Sequence, residues 1–344
     1  MPAKKPIVAV ADAPFPDFTS AEQVLAGFDA TVRKAPEPTP EAILEAAAGA
    51  DAVMVTYAKL PREVIERLDR CRIIARMGIG LDNIDVDAAT EAGIVVANVP
   101  DYCVDEVSDH ALALLLTLAR AIPRANQLVR NGGWAVGELG TLHRLQGRVL
   151  GLTGFGRIGR TIAHKAQAFG LQVIAFDPYL PAEVAAEAGV ELVDFDTLLA
   201  RSDFISVHTP LTPETRHLFG AVTFDRMKPG AILINTSRGG LVDEEALAEA
   251  LDTGKLGGAA LDVLGSEPPA PNSALLRRED VILTPHMAYY SEESTAELQR
   301  KAAEEVVRVL QGNPPRCPVN PSVFNAPRRA KGGSSTHDYA TVED

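Results

Sequence analysis

Short apolar runs alternate along this chain with segments whose apolar residues recur at helical spacing, and the alternation predicts its elements. Residues 7–12, 52–57, 72–77 and 94–98 read as strands. Residues 61–69, with Pro61 at the start, and 85–92, ended by Gly93, read as helices between them. That order is βαβ with a parallel sheet. One long helix is predicted over 105–131, stopped by Gly132 and Gly133, with Leu112, Leu115, Leu116 and Leu118 on its apolar face. A second strand series follows at 149–153, 172–177, 204–209, 231–236, 258–263 and 281–284. A final helix over 291–310 is closed by Gly312 and Pro314.

Between the strands at 149–153 and 172–177 the polar interruption is itself informative. Gly154, Gly156 and Gly159 fill G-x-G-x-x-G, a strand enters the motif, a helical pattern leaves it, and Asp177 closes the next strand. This context predicts a dinucleotide site. Gly154 permits the tight turn, Gly156 lets a pyrophosphate approach the backbone, and Gly159 lets helix and strand pack closely. The helix amino end at Arg157 and Ile158 offers N–H groups and partial positive charge to phosphates. Asp177 accepts ribose hydroxyls and repels a 2′-phosphate, and Pro178 and Tyr179 follow it rather than an Arg, which favours NAD over NADP. A Rossmann-like unit binding S-adenosylmethionine, or a degenerate fold binding nothing, is the alternative for this segment alone.

The motif's place in mid-chain predicts an inserted domain. The fold class expected is α/β with two Rossmann-like domains. A discontinuous, flavodoxin-like substrate domain spans 1–100 and 290–324, and an NAD-binding domain spans 101–289. The crossings fall near residues 99–101 and 286–291, with the ligand site expected in the cleft between the domains. Residues 325–344, with few large apolar residues and a Gly-Gly-Ser-Ser run, read as a disordered tail.

Composition narrows the partners. A net charge of −13 leaves no basic stripe for nucleic acid and no attraction to an anionic membrane. The run at 111–119 is too short to span a bilayer. The amino terminus is not a signal peptide, and three scattered cysteines without a C-x-x-C suggest neither disulfides nor a zinc site, as suits the cytoplasm. No metal is expected.

Three strand ends after the motif carry candidate chemistry. In INTSRGG, Arg238 follows a buried strand; it can fork onto a carboxylate and polarise a carbonyl, or else cap the next helix or pair with Asp243. In ALDVLGSEP, Asp262 ends a strand and Glu267 lies in the loop, as either a partner for a base or a solvated carboxylate. In LTPHMAYY, His286 follows a strand and Pro285, as either a proton donor or a structural histidine. Together with NADH, the trio supports reduction of a 2-oxo acid: a hydride donor, a cation, and an acid–base histidine oriented by a carboxylate.

With these motifs in this order, joined by ARMGIGLDNIDVDAA, VIAFDPY and VHTPLTPETRHL, the chain resembles the D-isomer-specific 2-hydroxyacid dehydrogenase family over about residues 7–320. The nearest likeness is to its short C-terminal binding protein-like and phosphoglycerate dehydrogenase-like branch, through Arg76, Asp177–Leu180 and MAYYSEE. The resemblance implies a catalytic trio of Arg238, Glu267 and His286. It implies NAD contacts at His208, Thr209, Pro210, Thr215, Thr236, Ser237, Asp262 and Ala288. It places the substrate carboxylate on backbone N–H groups of Met77, Gly78 and Ile79, with Arg76 as a second cation or a partner of Asp82, and Tyr289 on the substrate side. Corepressors of the branch carry tryptophan where Tyr289 stands. Formate dehydrogenases carry Gln where Glu267 stands, and long phosphoglycerate dehydrogenases add a regulatory domain for which about 30 residues leave no room. The resemblance further implies a homodimer through the cofactor domain and a small 2-hydroxy or 2-oxo acid as partner. Glycerate and hydroxypyruvate, glyoxylate, or phosphoglycerate are the types expected. An NADH-responsive binding protein is the second function expected.

Overall fold

The structure, a computed structural model, describes residues 5–325. The predicted tail lies outside the described residues apart from Asn325. The chain divides into two compact units, Met1–Tyr102 with Ser291–Asp344, and Cys103–Tyr290.

The first unit contains β1 (Ile7–Val10), α1 (Thr19–Gly27), β2 (Thr31–Lys34), α2 (Pro40–Ala46), β3 (Ala52–Val55), α3 (Arg62–Ile65), β4 (Ile73–Arg76), α4 (Val86–Glu91) and β5 (Val95–Ala97). Its five strands pair in parallel in the order β2-β1-β3-β4-β5, a flavodoxin-like order. β1, β3 and β4 are buried at every position because helices cover both faces, so each reads as an unbroken apolar run. β2 is an edge strand, mostly exposed and polar, and escapes the apolar pattern for that reason. The helix Glu292–Leu310 joins this unit, packed on α1 and β4. Ser291 and Ser294 form its capping box, and Arg72 donates to the carbonyls of Val309 and Leu310 at its far end.

The second unit contains α5 (Val104–Ala119), α6 (Ile122–Arg130), β6 (Val149–Thr153), α7 (Arg157–Gln167), β7 (Gln172–Phe176), α8 (Ala182–Glu187), β8 (Glu191–Leu192), α9 (Phe195–Arg201), β9 (Phe204–Val207), α10 (Ala221–Arg226), β10 (Ala231–Asn235), α11 (Glu244–Asp252), β11 (Leu256–Leu261) and β12 (Val281–Leu283). All seven strands run parallel, in the order β12-β11-β10-β9-β6-β7-β8. The direction of winding reverses between β6 and β9, so a crevice opens at their carboxyl ends. Two apolar layers cover the sheet faces, one built around Phe219 and Phe224, the other around Phe155 and Ile162.

The predicted single helix over 105–131 is two helices. Arg120 ends α5, and Ala121 takes a left-handed conformation, φ 50°, before Pro123 sits in the first turn of α6. The buried face of α5 is Val107, Ser108, Ala111, Leu112, Leu114 and Leu115, whereas Leu116 and Leu118 are half-buried. The helix expected over 61–69 shortens to α3, and Arg72, Met77 and Asn98, at the ends of predicted strands, fall outside β4 and β5.

Candidate active site

The carboxyl end of β6 forms a donor-rich turn. Gly154 has φ +86°, and a Cβ there would stand 2.6 Å from the His208 carbonyl, so glycine alone lets the turn touch the end of β9. A Cβ on Gly159 would stand 2.5 Å from the Gly154 carbonyl, which fixes the first turn of α7 against the strand. Above Gly156 a Cβ would meet nothing within 4 Å, and no side chain caps α7. The helix N-terminus at exposed Arg157 and half-buried Ile158 therefore faces open space. Asp177, just past β7, accepts from the N–H of Phe155 at 2.9 Å and of Tyr179 at 3.0 Å, so both its oxygens are oriented.

Neighbouring strand ends supply the other predicted cofactor contacts. His208 follows β9; its Nε2 lies 2.8 Å from Ser206 Oγ, and burial pushes its pKa down to about 3, so it is neutral at physiological pH. Thr209 and Pro210 begin the next loop, which Thr215 closes by donating to the Pro210 carbonyl at 2.8 Å. After β10, Asn235 holds the turn: its amide donates to the Arg238 carbonyl and its oxygen accepts from the Ser237 N–H. Ser237 Oγ donates to the Val207 carbonyl, tying the ends of β10 and β9. The Thr153 and Thr236 hydroxyls, at the ends of β6 and β10, are buried without a hydrogen-bond partner. Such groups cost free energy unless a ligand satisfies them. Open amides, two orphaned hydroxyls and an oriented carboxylate fit a dinucleotide rich in phosphate and hydroxyl groups.

The predicted trio sits on three loops of this unit. His286 Nδ1 lies 2.7 Å from Glu267 Oε2, and Glu267 Oε1 accepts from the Leu264 N–H at 3.1 Å. Partial burial pushes the Glu267 carboxyl up; the hydrogen bond and charge of His286, the Leu264 amide and the Arg238 charge outweigh it, and the pKa lies below the usual carboxylate range. Arg238 thus belongs electrostatically to the same cluster, and its Nη1 donates to the Ser237 carbonyl at 2.8 Å. Gly239 brings these loops together: a Cβ there would overlap the Leu264 carbonyl carbon at 1.9 Å, so only glycine lets the Arg238 turn touch the loop that carries Glu267. Glu244 at the start of α11 fixes that loop by accepting from the Gly265 N–H at 2.6 Å. Asp243 caps α11 through the N–H groups of Glu245 and Ala246.

Asp262 is 1% exposed and organises the His286 turn. Its carbonyl accepts from the His286 N–H at 2.8 Å, and its carboxylate accepts from the N–H groups of Met287 and Ala288 at 2.9 and 2.8 Å and from Thr284 Oγ1. Desolvation pushes its pKa up, and the hydrogen bonds from His110, Thr284, Met287 and Ala288 pull it below the ordinary value. The wrapped backbone holds His286 at φ +51°. Ala288 is buried, and Tyr289 meets the His286 ring edge-on at 6.4 Å between centroids.

Of the predicted substrate-side residues, Arg76, Met77, Gly78 and Ile79 belong to the first unit and Tyr289 to the second. Arg76 ends β4, is buried, and donates to the Met77 carbonyl at 2.8 Å; its guanidinium fills the space where a Gly78 side chain would stand. Met77 corrects one expectation. It is fully buried and its N–H donates to the Val55 carbonyl at 2.7 Å, continuing the sheet, so that amide is not open to a substrate. Gly78 N–H donates within the turn to the Arg76 carbonyl at 3.1 Å. Ile79 is half-buried, and its carbonyl accepts from Asn98.

The sequence reading named Asn235 only as the start of a polar turn and did not single out His110, Thr284, Gly239 or Glu244. The only signals were a histidine on an apolar helix face and a glycine directly after Arg238, and neither has a spacing that names its partner.

The family model for the D-isomer specific 2-hydroxyacid dehydrogenase NAD binding domain matches residues 112–288. A D-3-phosphoglycerate dehydrogenase of Methanocaldococcus jannaschii is 45% identical over 276 residues, which are 80% of this chain and 52% of that protein. The chain thus spans about half the length of the curated relatives it matches. A glyoxylate reductase from Paecilomyes thermophila superposes with a TM-score of 0.83 at 31% identity, covering 93% of this chain and 99% of that one. A D-lactate dehydrogenase from Aquifex aeolicus, complexed with NAD and lactic acid, gives a TM-score of 0.82 at 29% identity, covering 89% and 96%. The chain belongs to the D-isomer specific 2-hydroxyacid dehydrogenase family, and its second unit carries the family's NAD binding domain.

Proposed function

We propose that the protein is an NAD-dependent dehydrogenase interconverting a small D-2-hydroxy acid and its 2-oxo partner, of the glycerate–hydroxypyruvate, glyoxylate or phosphoglycerate type. The observation that carries this reading is the His286–Glu267 pair at 2.7 Å within the charge field of Arg238. Gly154, Gly156, Arg157, Ile158 and Gly159 would hold the pyrophosphate, Asp177 the adenosine ribose, and His208–Pro210, Thr215, Thr236, Ser237, Asp262 and Ala288 the remainder of NAD. When bound, NADH supplies the hydride for the substrate's carbonyl carbon. Arg238 forks onto the substrate carboxylate and polarises the carbonyl. His286 keeps Nδ1–H on ionised Glu267 and delivers the Nε2 proton to the carbonyl oxygen; in reverse, neutral Nε2 takes the hydroxyl proton. Arg76 and the Ile79 amide are further substrate contacts in this proposal, on the family resemblance, and Tyr289 lies beside His286.

The domain assignment follows the two units, with the first as the substrate domain and the second as the cofactor domain. We assign the working form as a homodimer through the second unit, where Ile122, Val129, Trp134 and Val136 expose large apolar side chains. Three scattered cysteines without a C-x-x-C support a reducing, cytoplasmic setting. The acidic charge supports neither nucleic acid nor membrane as partner, and no helix among the described residues is long and apolar enough to cross a membrane. The likeness to the C-terminal binding protein branch rests on Arg76, Asp177–Leu180 and the residues after His286. The relatives reported above are dehydrogenases and a reductase, which supports catalysis over an NADH-responsive corepressor. An NADH-oxidation screen against glyoxylate, hydroxypyruvate, phosphohydroxypyruvate, pyruvate and larger 2-oxo acids tests the reading. Turnover on at least one is expected, and none on any would overturn it.

A further inference from the structure

His110 stands on α5, a helix that supplies none of the trio, yet its Nε2 points at the residues that shape the His286 turn. It lies 3.0 Å from Thr284 Oγ1 and 3.5 Å from Asp262 Oδ1. Thr284 has one hydroxyl proton, and its short contact with the Asp262 carboxylate uses it. The Thr284 oxygen can then only accept from His110, so His110 carries its proton on Nε2. Four donors thus surround the Asp262 carboxylate: the Thr284 hydroxyl, the Met287 and Ala288 amides, and His110 at longer range. Two of them are the backbone N–H groups directly after His286, and the Asp262 carbonyl takes the N–H of His286 itself. The orientation of Asp262 therefore sets the left-handed turn that aims the His286 ring at Glu267.

We propose that His110 is a positioning residue for proton transfer at His286, acting through Thr284 and Asp262 and touching neither substrate nor cofactor. His110 completes the hydrogen bonding of Thr284, which locks the Asp262 carboxylate; without that lock the carboxylate can rotate and carry the 286–288 backbone with it. The inference rests on His286 being the proton donor.

Single-site variants of the full chain test it. His110→Ala is expected to lower kcat roughly tenfold, since a small misplacement of an acid–base group has effects of that order, with NADH affinity by fluorescence titration falling much less, because the glycine turn and Asp177 are untouched and only Asp262 and Ala288 shift. His110→Gln, whose amide restores an N–H donor, is expected to recover most of kcat. Thr284→Val keeps the volume, removes the intermediary and should reproduce the loss even if His110→Ala does not fold. In the double variant the two losses should not multiply, because both break one path. The inference is overturned if the Ala variant turns over within about twofold of wild type, if Gln fails to rescue, or if the two effects multiply. His286→Ala separates the two levels. An inactive His286→Ala beside a fully active His110→Ala sinks only the positioning role, whereas an active His286→Ala sinks the parent reading as well.

Discussion

The β6–α7 turn and the 262–288 loops lie in one unit at carboxyl strand ends, but they are built from different materials. The turn is backbone: glycines where a Cβ would strike a carbonyl, open amides, and a carboxylate held by two N–H groups. The loops are side chains: Asp262, Thr284, Glu267 and His286 hold one another through hydrogen bonds that span 19 to 26 residues of sequence. A backbone site depends on sterics and fails when a side chain is added. A side-chain site depends on a network and fails when a side chain is removed.

That contrast orders the expected effects of mutation. Removing the proton donor, His286→Ala, should cut kcat by about a hundredfold or more while NADH still binds, by the usual worth of a general acid; steady-state kinetics with a fluorescence titration of NADH checks both halves, and unchanged turnover would remove His286 from the mechanism. Adding one methyl to the turn, Gly154→Ala, should do the opposite. Overlap with the His208 carbonyl and an unfavourable φ should cost on the order of 1–3 kcal/mol, read as a lower melting temperature and weaker NADH binding, with kcat at saturating NADH much less affected. A kcat collapse there with cofactor affinity intact would erase the distinction between the two sites.

Smaller effects sharpen it. Asp177→Ala removes the charge that repels a 2′-phosphate and should narrow the preference for NADH over NADPH several-fold, on the scale of one screened charge contact; equal use of both by the wild type would refute the charge argument. His208 gives a pH signature. Its folded pKa of about 3 lies far below the unfolded value, so between about 6.5 and 3 the unfolded chain binds the extra proton and stability falls as pH falls. His208→Gln should flatten that part of the stability–pH curve, measured by urea midpoints above the range where carboxylates titrate. An unchanged slope would show that His208 is not held neutral by the fold.

Legibility in the sequence follows the same division. The motif at Gly154–Asp177 could be read because each glycine answers a local steric demand at fixed spacing, and β1, β3 and β4 because burial on both faces leaves an unbroken apolar run. The edge strand β2 hid behind its exposed polar residues, and α11 was expected only as the helix after Arg238, without bounds, although Asp243 followed by two acidic residues is an N-terminal signal. The predicted long helix failed at Ala121, where an ordinary residue adopts a left-handed turn that nothing in its type announces. Met77 failed as a substrate amide because β3 claims its N–H, a pairing between residues 22 positions apart.

The amino-acid sequence alone determined the strand–helix alternation, the glycine turn with its acidic partner, and the residue types Arg238, Glu267 and His286, because helix period, steric limits on glycine and the polarity of strand ends are local properties of the chain. Only the tertiary structure decided that Glu267 orients His286, that Gly239 brings the Arg238 turn against the Glu267 loop, and that Asp262, Thr284 and His110 hold the turn behind them. Those contacts join residues up to 174 positions apart, and the packing of seven parallel strands, not the spacing of residues along the chain, sets which strand ends meet.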